Sequence, residues 1–237
     1  MPATAPYQIY PCGDHAVTIE LGDTIDPLIN QKVISLFQYL QANPITGVRD
    51  IIPAYHTVTI VYDLSVLQKT SSLSVYEMMR THLQKAAERS SDAEKKSSRQ
   101  ISIPVCYDLS LAPDIASLAE THGLSIEEVI AIHTAKTYRV YMIGFLPGFA
   151  YMGTVDDTIN TPRKTIPRIN VPAGSVGIAG TQTGIYPFDS PGGWQLIGQT
   201  PVAMFDAQKE MPCYLQPGDE VKFHAIMIDE FRKIKNA

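Results

Sequence analysis

The chain has 237 residues, with 19 Lys plus Arg against 24 Asp plus Glu and a formal net charge of -5. That acidic balance lacks the basic surface a dedicated nucleic-acid binder needs to displace counterions, so nucleic acid is set aside as a partner. Apolar residues at 45% and charged residues at 18% describe a core-forming chain, long enough for one large domain or two modest ones.

Residues 7–12 and 16–21 read as two short strands joined by a tight turn at Gly13 and Asp14. Asp26 followed by Pro27 has the form of a helix N-cap with proline in the first turn. Ile29, Val33, Leu36, Phe37 and Leu40 then recur at helical spacing up to about Ala42, where Asn43 and Pro44 stop the helix. Residues 48–52 and the β-branched run 57–62 form a second strand pair. A second helix spans about 74–89, with Val75, Met78, Met79, Leu83 and Ala86 on its inner side. This order predicts an α+β domain over residues 1–90, with two helices on one sheet face.

Residues 91–99 contain no large apolar side chain in their first eight positions, and they read as an exposed linker between two domains. The second domain, 100–237, opens with a strand at 101–106. A helix follows over 113–121, stopped by Gly123, and then another from Ser125, with Glu128 completing a capping box, to about Ala135. Residues 137–143 are the next strand, and turn-rich β structure is expected from there to a last strand at 221–228. Between Gly144 and Gly218 lie 11 of the 15 glycines and 9 of the 17 prolines, which favours a closed or sandwiched β-domain of short strands.

The uncharged stretch from Val140 to Val155 is too short to span a bilayer and is broken by Gly144, Pro147 and Gly148. The N-terminal residues lack the basic start and apolar run of a signal peptide, and the three cysteines, Cys12, Cys106 and Cys213, are too sparse for a disulfide scaffold. A cytoplasmic protein without a membrane segment is the expectation.

Three segments could carry chemistry. Gly144-Phe145-Leu146-Pro147-Gly148-Phe149 follows a strand directly, so Phe145 and Phe149 either wall a pocket beside free main-chain N–H groups or fill a hairpin corner. The second holds Pro172, Gly174, Ser175, Gly177, Gln182, Thr183 and Tyr186, whose glycines fit neither a phosphate loop nor a dinucleotide fingerprint. Its density of glycine suits close approach of strands or of a ligand, with neutral hydrogen-bonding side chains beside it. In the third, Trp194 follows Pro191-Gly192-Gly193 and is either a packing anchor or a pocket wall. Arg163 and Arg168, each beside a proline, could clamp a carboxylate or phosphate or simply be solvated. No zinc-type histidine spacing occurs, no metal is expected, and His133 is the weak candidate for acid–base work, the catalytic residues being otherwise unassigned.

These blocks, together with Thr161-Pro162-Arg163, Pro167-Arg168 and the run from Val171 to Gly180, closely resemble the 5-oxoprolinase B-subunit family, also called the KipI or allophanate-hydrolase-subunit-1 family. The resemblance covers nearly the whole chain and implies a small α+β domain followed by a mainly β, cyclophilin-like barrel. It implies a non-autonomous subunit of an ATP-dependent 5-oxoprolinase that opens 5-oxo-L-proline to L-glutamate. The implied partners are the companion C-type and the lactam-handling A-type subunits of that enzyme, with ATP and Mg acting at the level of the complex. It also offers a different function, inhibition of a sensor histidine kinase in sporulation control. A domain of a biotin-dependent urea-amidolyase-type chain is a weaker third. The pattern departs at Gln199, where many relatives carry Arg, which implies weaker hold on an anion there.

Overall fold

The computed structural model describes residues 7–68, 74–91 and 98–236. Most of the expected linker, residues 92–97, lies outside the described residues. The chain divides into two compact units, Met1–Ser97 and Ser98–Ala237.

In the first unit, β1 (Gln8–Pro11), β2 (Ala16–Glu20), β3 (Val48–Pro53) and β4 (Thr57–Tyr62) form an antiparallel sheet in the order β1-β2-β4-β3. Helix α1 (Pro27–Ala42) starts where the Asp26 carboxylate accepts from the N–H groups of Leu28 and Ile29, which satisfies two donors the helix itself cannot pair. A short α2 (Leu64–Leu67), not foreseen from the sequence, precedes α3 (Val75–Ser91). Alternate residues of β4, Val58, Ile60 and Tyr62, meet Val33, Leu36 and Leu40 of α1 and Met79 and Leu83 of α3 in one core. Both helices therefore bury their apolar stripes on this sheet.

The second unit is built around a closed barrel in the order β10-β7-β6-β13-β5-β12-β9. Its elements along the chain are β5 (Gln100–Cys106), α4 (Ile115–His122), α5 (Ile126–Ala135), β6 (Thr137–Ile143) and β7 (Ala150–Gly153), then β8 (Arg168–Val171), β9 (Ser175–Ala179), β10 (Gln182–Ile185), β11 (Ser190–Gly192), β12 (Gln195–Gln199), β13 (Glu220–Ile226) and α6 (Ile228–Lys235). Closure removes the unpaired edges that an open sheet would expose. Among the described residues only β13 and β5 run parallel, and β8 and β11 stand outside the barrel as a two-stranded ribbon. The barrel is cyclophilin-like, and its interior is filled by Ile103, Val105, Val140, Met152, Ile178 and Phe223 with α4 and α5 packed against it.

Helix α4 ends on Gly123 at φ 67°, and Ser125 and Glu128 make both bonds of the capping box that opens α5. The chain end departs from expectation. The last strand stops at Ile226, and α6 follows, anchored through Phe231 against Cys106 and Ile226. Among the described residues no helix is long and apolar enough to cross a membrane, and no cluster of three metal-binding side chains occurs.

Candidate functional site

The loop between β6 and β7 is a compact corner. The Gly144 N–H donates to the Phe149 carbonyl at 3.1 Å, Leu146 N–H to Gly144 at 2.9 Å and Phe149 N–H to Leu146 at 3.0 Å. Pro147 lies exposed at its tip, and Gly148 sits at φ 84°, where an added Cβ would meet the Met204 carbonyl oxygen at 2.8 Å. Phe145 is the one non-glycine residue with positive φ among the described residues, at 69°, and it remains 60% exposed. Holding a phenylalanine there costs on the order of 1–2 kcal/mol, which the surrounding turn bonds must offset.

Phe149 is the hub beneath that corner. Its ring lies 4.8 Å from Tyr151, 5.2 Å from Tyr186, 5.4 Å from Trp194 and 5.5 Å from Phe145, each edge-to-face. Such contacts each add about 0.5–1.5 kcal/mol beyond burial. The strands admit the rings because they lack side chains at the crossing. A Cβ on Gly184 would lie 3.0 Å from both the Ala150 oxygen and the Trp194 ring, and one on Gly177 would lie 3.0 Å from the Trp194 Cβ. Tyr186 is buried, with its hydroxyl facing the Trp194 main-chain N–H.

The two arginines have different fates. Arg168 pairs with Asp114 at 2.5 Å, and Lys164 reaches the same carboxylate oxygen at 3.0 Å. The other Asp114 oxygen accepts from the Leu196 N–H at 2.7 Å. Burial pushes the Asp114 carboxyl up, and the bonds from Arg168, Leu196 and Lys164 more than reverse it, leaving the group below its ordinary value. Arg163 is exposed and lies over the Trp194 ring at 5.7 Å.

The glycine segment spends its main-chain donors on its own turns and strands. Gly174 N–H donates to Tyr186, Ser175 N–H to Pro172 and Gly180 N–H to Thr161, while the Ala173 N–H is held by Asp189. Pro172, Gly174 and Ser175 therefore make a self-satisfied turn, and Gln182 lies half-buried at the start of β10. Gln199 is buried and donates to the Ala173 carbonyl at 2.6 Å.

His133 is not placed for acid–base work on a ligand. It is wholly buried, stacked 4.8 Å from Phe223, with Nδ1 2.8 Å from the Tyr107 hydroxyl and Nε2 3.1 Å from the Thr183 hydroxyl. Thr183 donates its own proton to the Gly177 carbonyl at 3.0 Å, so Nε2 must carry the ring proton and Nδ1 accepts from Tyr107. Burial pushes the His133 pKa down to about 3, so the ring is neutral and fixed in one tautomer.

The structure thus brings Phe145, Phe149, Tyr186, Trp194, Gly177 and Arg163 together, and it assigns Thr183 and His133 to the barrel interior. Sequence reasoning missed Asp114 and Lys164. Asp114 stands at a helix start like an N-cap, yet it makes no capping bond and turns instead to residues at least 50 positions away. The expected helix over 113–121 placed Asp114 within its first turn, and nothing in the local sequence pointed to partners so far along the chain.

Residues 7–215, which include the barrel and its aromatic end, match the family model of the carboxyltransferase domain, subdomain C and D. The chain is 40% identical over 235 residues to the B subunit of 5-oxoprolinase of Bacillus subtilis (strain 168), covering 98% of each. It is also 40% identical over 214 residues to the protein of the same name from Escherichia coli O157:H7, covering 90% of this chain and 94% of that one. Within the carboxyltransferase class, the chain belongs to the 5-oxoprolinase B-subunit family. The crystal structure of TTHA0988 superimposes with a TM-score of 0.76 at 36% identity, covering 89% of this chain and 40% of that longer one.

Proposed function

We propose that this chain is the B-type subunit of an ATP-dependent 5-oxoprolinase, working with companion C-type and lactam-handling A-type subunits to open 5-oxo-L-proline to L-glutamate. The observation that carries this reading is the 40% identity to the B subunit of a 5-oxoprolinase, sustained over 98% of both chains. A five-membered lactam is a stable amide, so ATP hydrolysis supplies the drive for opening it. No Gly-Lys-Ser or Gly-Lys-Thr phosphate loop occurs in this chain, which fits a role for ATP with Mg at the level of the complex. The contribution of this chain is orientation and charge stabilisation, made by rigid groups at the aromatic end of the barrel. Phe145 offers an exposed ring there and Arg163 a cationic head, and the remaining aromatic side chains hold both in place.

The test is reconstitution. The three purified subunits, given ATP, Mg and 5-oxoproline, are expected to release glutamate, and omission of this chain is expected to abolish the release. No glutamate from the full set overturns the reading. A fall in sensor histidine kinase autophosphorylation on adding this chain would then point to the inhibitory function instead.

A further inference from the structure

We propose that Arg163, laid on Trp194 and flanked by a latch centred on Asp114, is an oxyanion-recognition site of this chain that takes a small carboxylate or phosphate ligand. The inference deepens the oxoprolinase reading and rests on it for the two sources of that chemistry, the carboxylate of 5-oxoproline and phosphate derived from ATP.

The loop that presents Arg163 is fixed on both sides. Lys164 N–H donates to the Gly193 carbonyl at 2.7 Å, and the Gln195 side-chain amide donates to the Pro162 carbonyl at 3.0 Å. The loop carries three cations, Arg163, Lys164 and Arg168. Two of them, Lys164 and Arg168, converge on the single buried carboxylate of Asp114. Among the described residues Arg163 makes no ion pair.

The ring beneath it completes the site. Trp194 is only 4% exposed, and the guanidinium carbon of Arg163 lies 5.7 Å from its ring centroid, within reach of a cation–π attraction, while Arg163 itself stays exposed to water or ligand. A guanidinium pre-set in this way loses little side-chain freedom when it pairs with a carboxylate or phosphate, which it can meet with two parallel bonds. The latch leaves a local excess of positive charge in a chain whose net charge is -5. An anion is therefore favoured here over the surrounding surface.

Trp194 is the only tryptophan of the chain, so its intrinsic fluorescence reads this position alone. Titration of the full chain with 5-oxoproline and separately with inorganic phosphate is expected to give a saturable change at constant ionic strength. Whichever of the two saturates identifies the source. Arg163→Gln should weaken that binding at least tenfold, Arg163→Lys should weaken it less, and Arg232→Gln on α6 should leave it unchanged. Equal titrations in wild type and Arg163→Gln, or no saturable change with either anion, would overturn the site. Glutamate release by the complex without any anion effect at Trp194 removes the site and keeps the enzyme reading. A saturable anion effect without glutamate removes the enzyme reading alone.

Discussion

Two polar networks in the C-terminal unit solve the burial problem in opposite ways. Inside the barrel, Tyr107, His133, Thr183 and the Gly177 carbonyl form a neutral chain in which every proton has one direction. Beneath the loop at 162–168, Asp114 is ionised and held by two cations and a main-chain N–H. A neutral network needs no counter-charge and leaves nothing over for a ligand. An ionic one must balance charge, and here it stops one cation short of including Arg163. The difference teaches where binding can occur: the interior network fixes the barrel, and the peripheral one fixes a loop and leaves a charged group exposed.

Breaking the ionic network should cost most. Asp114→Ala strands the Leu196 N–H and leaves Lys164 and Arg168 without their carboxylate. Removing one partner of a buried pair costs about 3–5 kcal/mol, and the partial exposure of both cations puts this case near the lower end, ~3 kcal/mol. Urea unfolding of the variant reads this directly, and a loss under about 1 kcal/mol would show the latch to be ornamental. Thr183→Val attacks the interior network without changing side-chain shape. It leaves the His133 Nε2 proton unpaired in the core, with an expected loss of about 2 kcal/mol in the same assay.

Acid separates the two networks further. His133 has a folded pKa of about 3, whereas an unfolded histidine titrates near ~6.5. Its contribution is intact above about pH 6.5, because neither state then binds the proton. As pH falls toward 3 the unfolded chain takes up a proton that the native chain refuses, and stability drops by on the order of 1 kcal/mol per pH unit. Asp114 acts in a lower window: its folded pKa lies below the ordinary value, so its share is present above about pH 4 and is lost as pH falls through the folded value. Unfolding free energies between pH 7 and 4 should therefore decline less steeply in His133→Gln than in wild type. Equal slopes would deny the buried neutral imidazole. The smallest effect belongs to a site outside both networks: Ser125→Ala removes the cap of α5 and should cost about 1 kcal/mol by thermal or urea unfolding.

Local rules made much of the architecture legible. The β-branched run of β4, the Asp26 cap and the Ser125 and Glu128 box each determine their own element from side chains a few residues apart. Helix α6 escaped because it has only eight residues and a single buried anchor, Phe231, and follows β13 with one residue between them. The aromatic cluster was legible as residue types, since Phe149, Tyr186 and Trp194 stood out among glycines. What was hidden was allocation. Which arginine is spent on Asp114, and whether the glycine segment keeps free donors, depends on a partner 54 positions away for Arg168 and on barrel register for the main chain. His133 misled for the same reason: a helix-end histidine reads as accessible until the strands close around it.

The most direct test compares glutamate release by the complex reconstituted from all three subunits with wild-type chain against release by the complex carrying Arg163→Gln, with assembly verified for both. A fall in kcat/KM for 5-oxoproline of tenfold or more, about 1.4 kcal/mol of lost stabilisation, is the predicted result. Equal kcat/KM in two equally assembled complexes would contradict it.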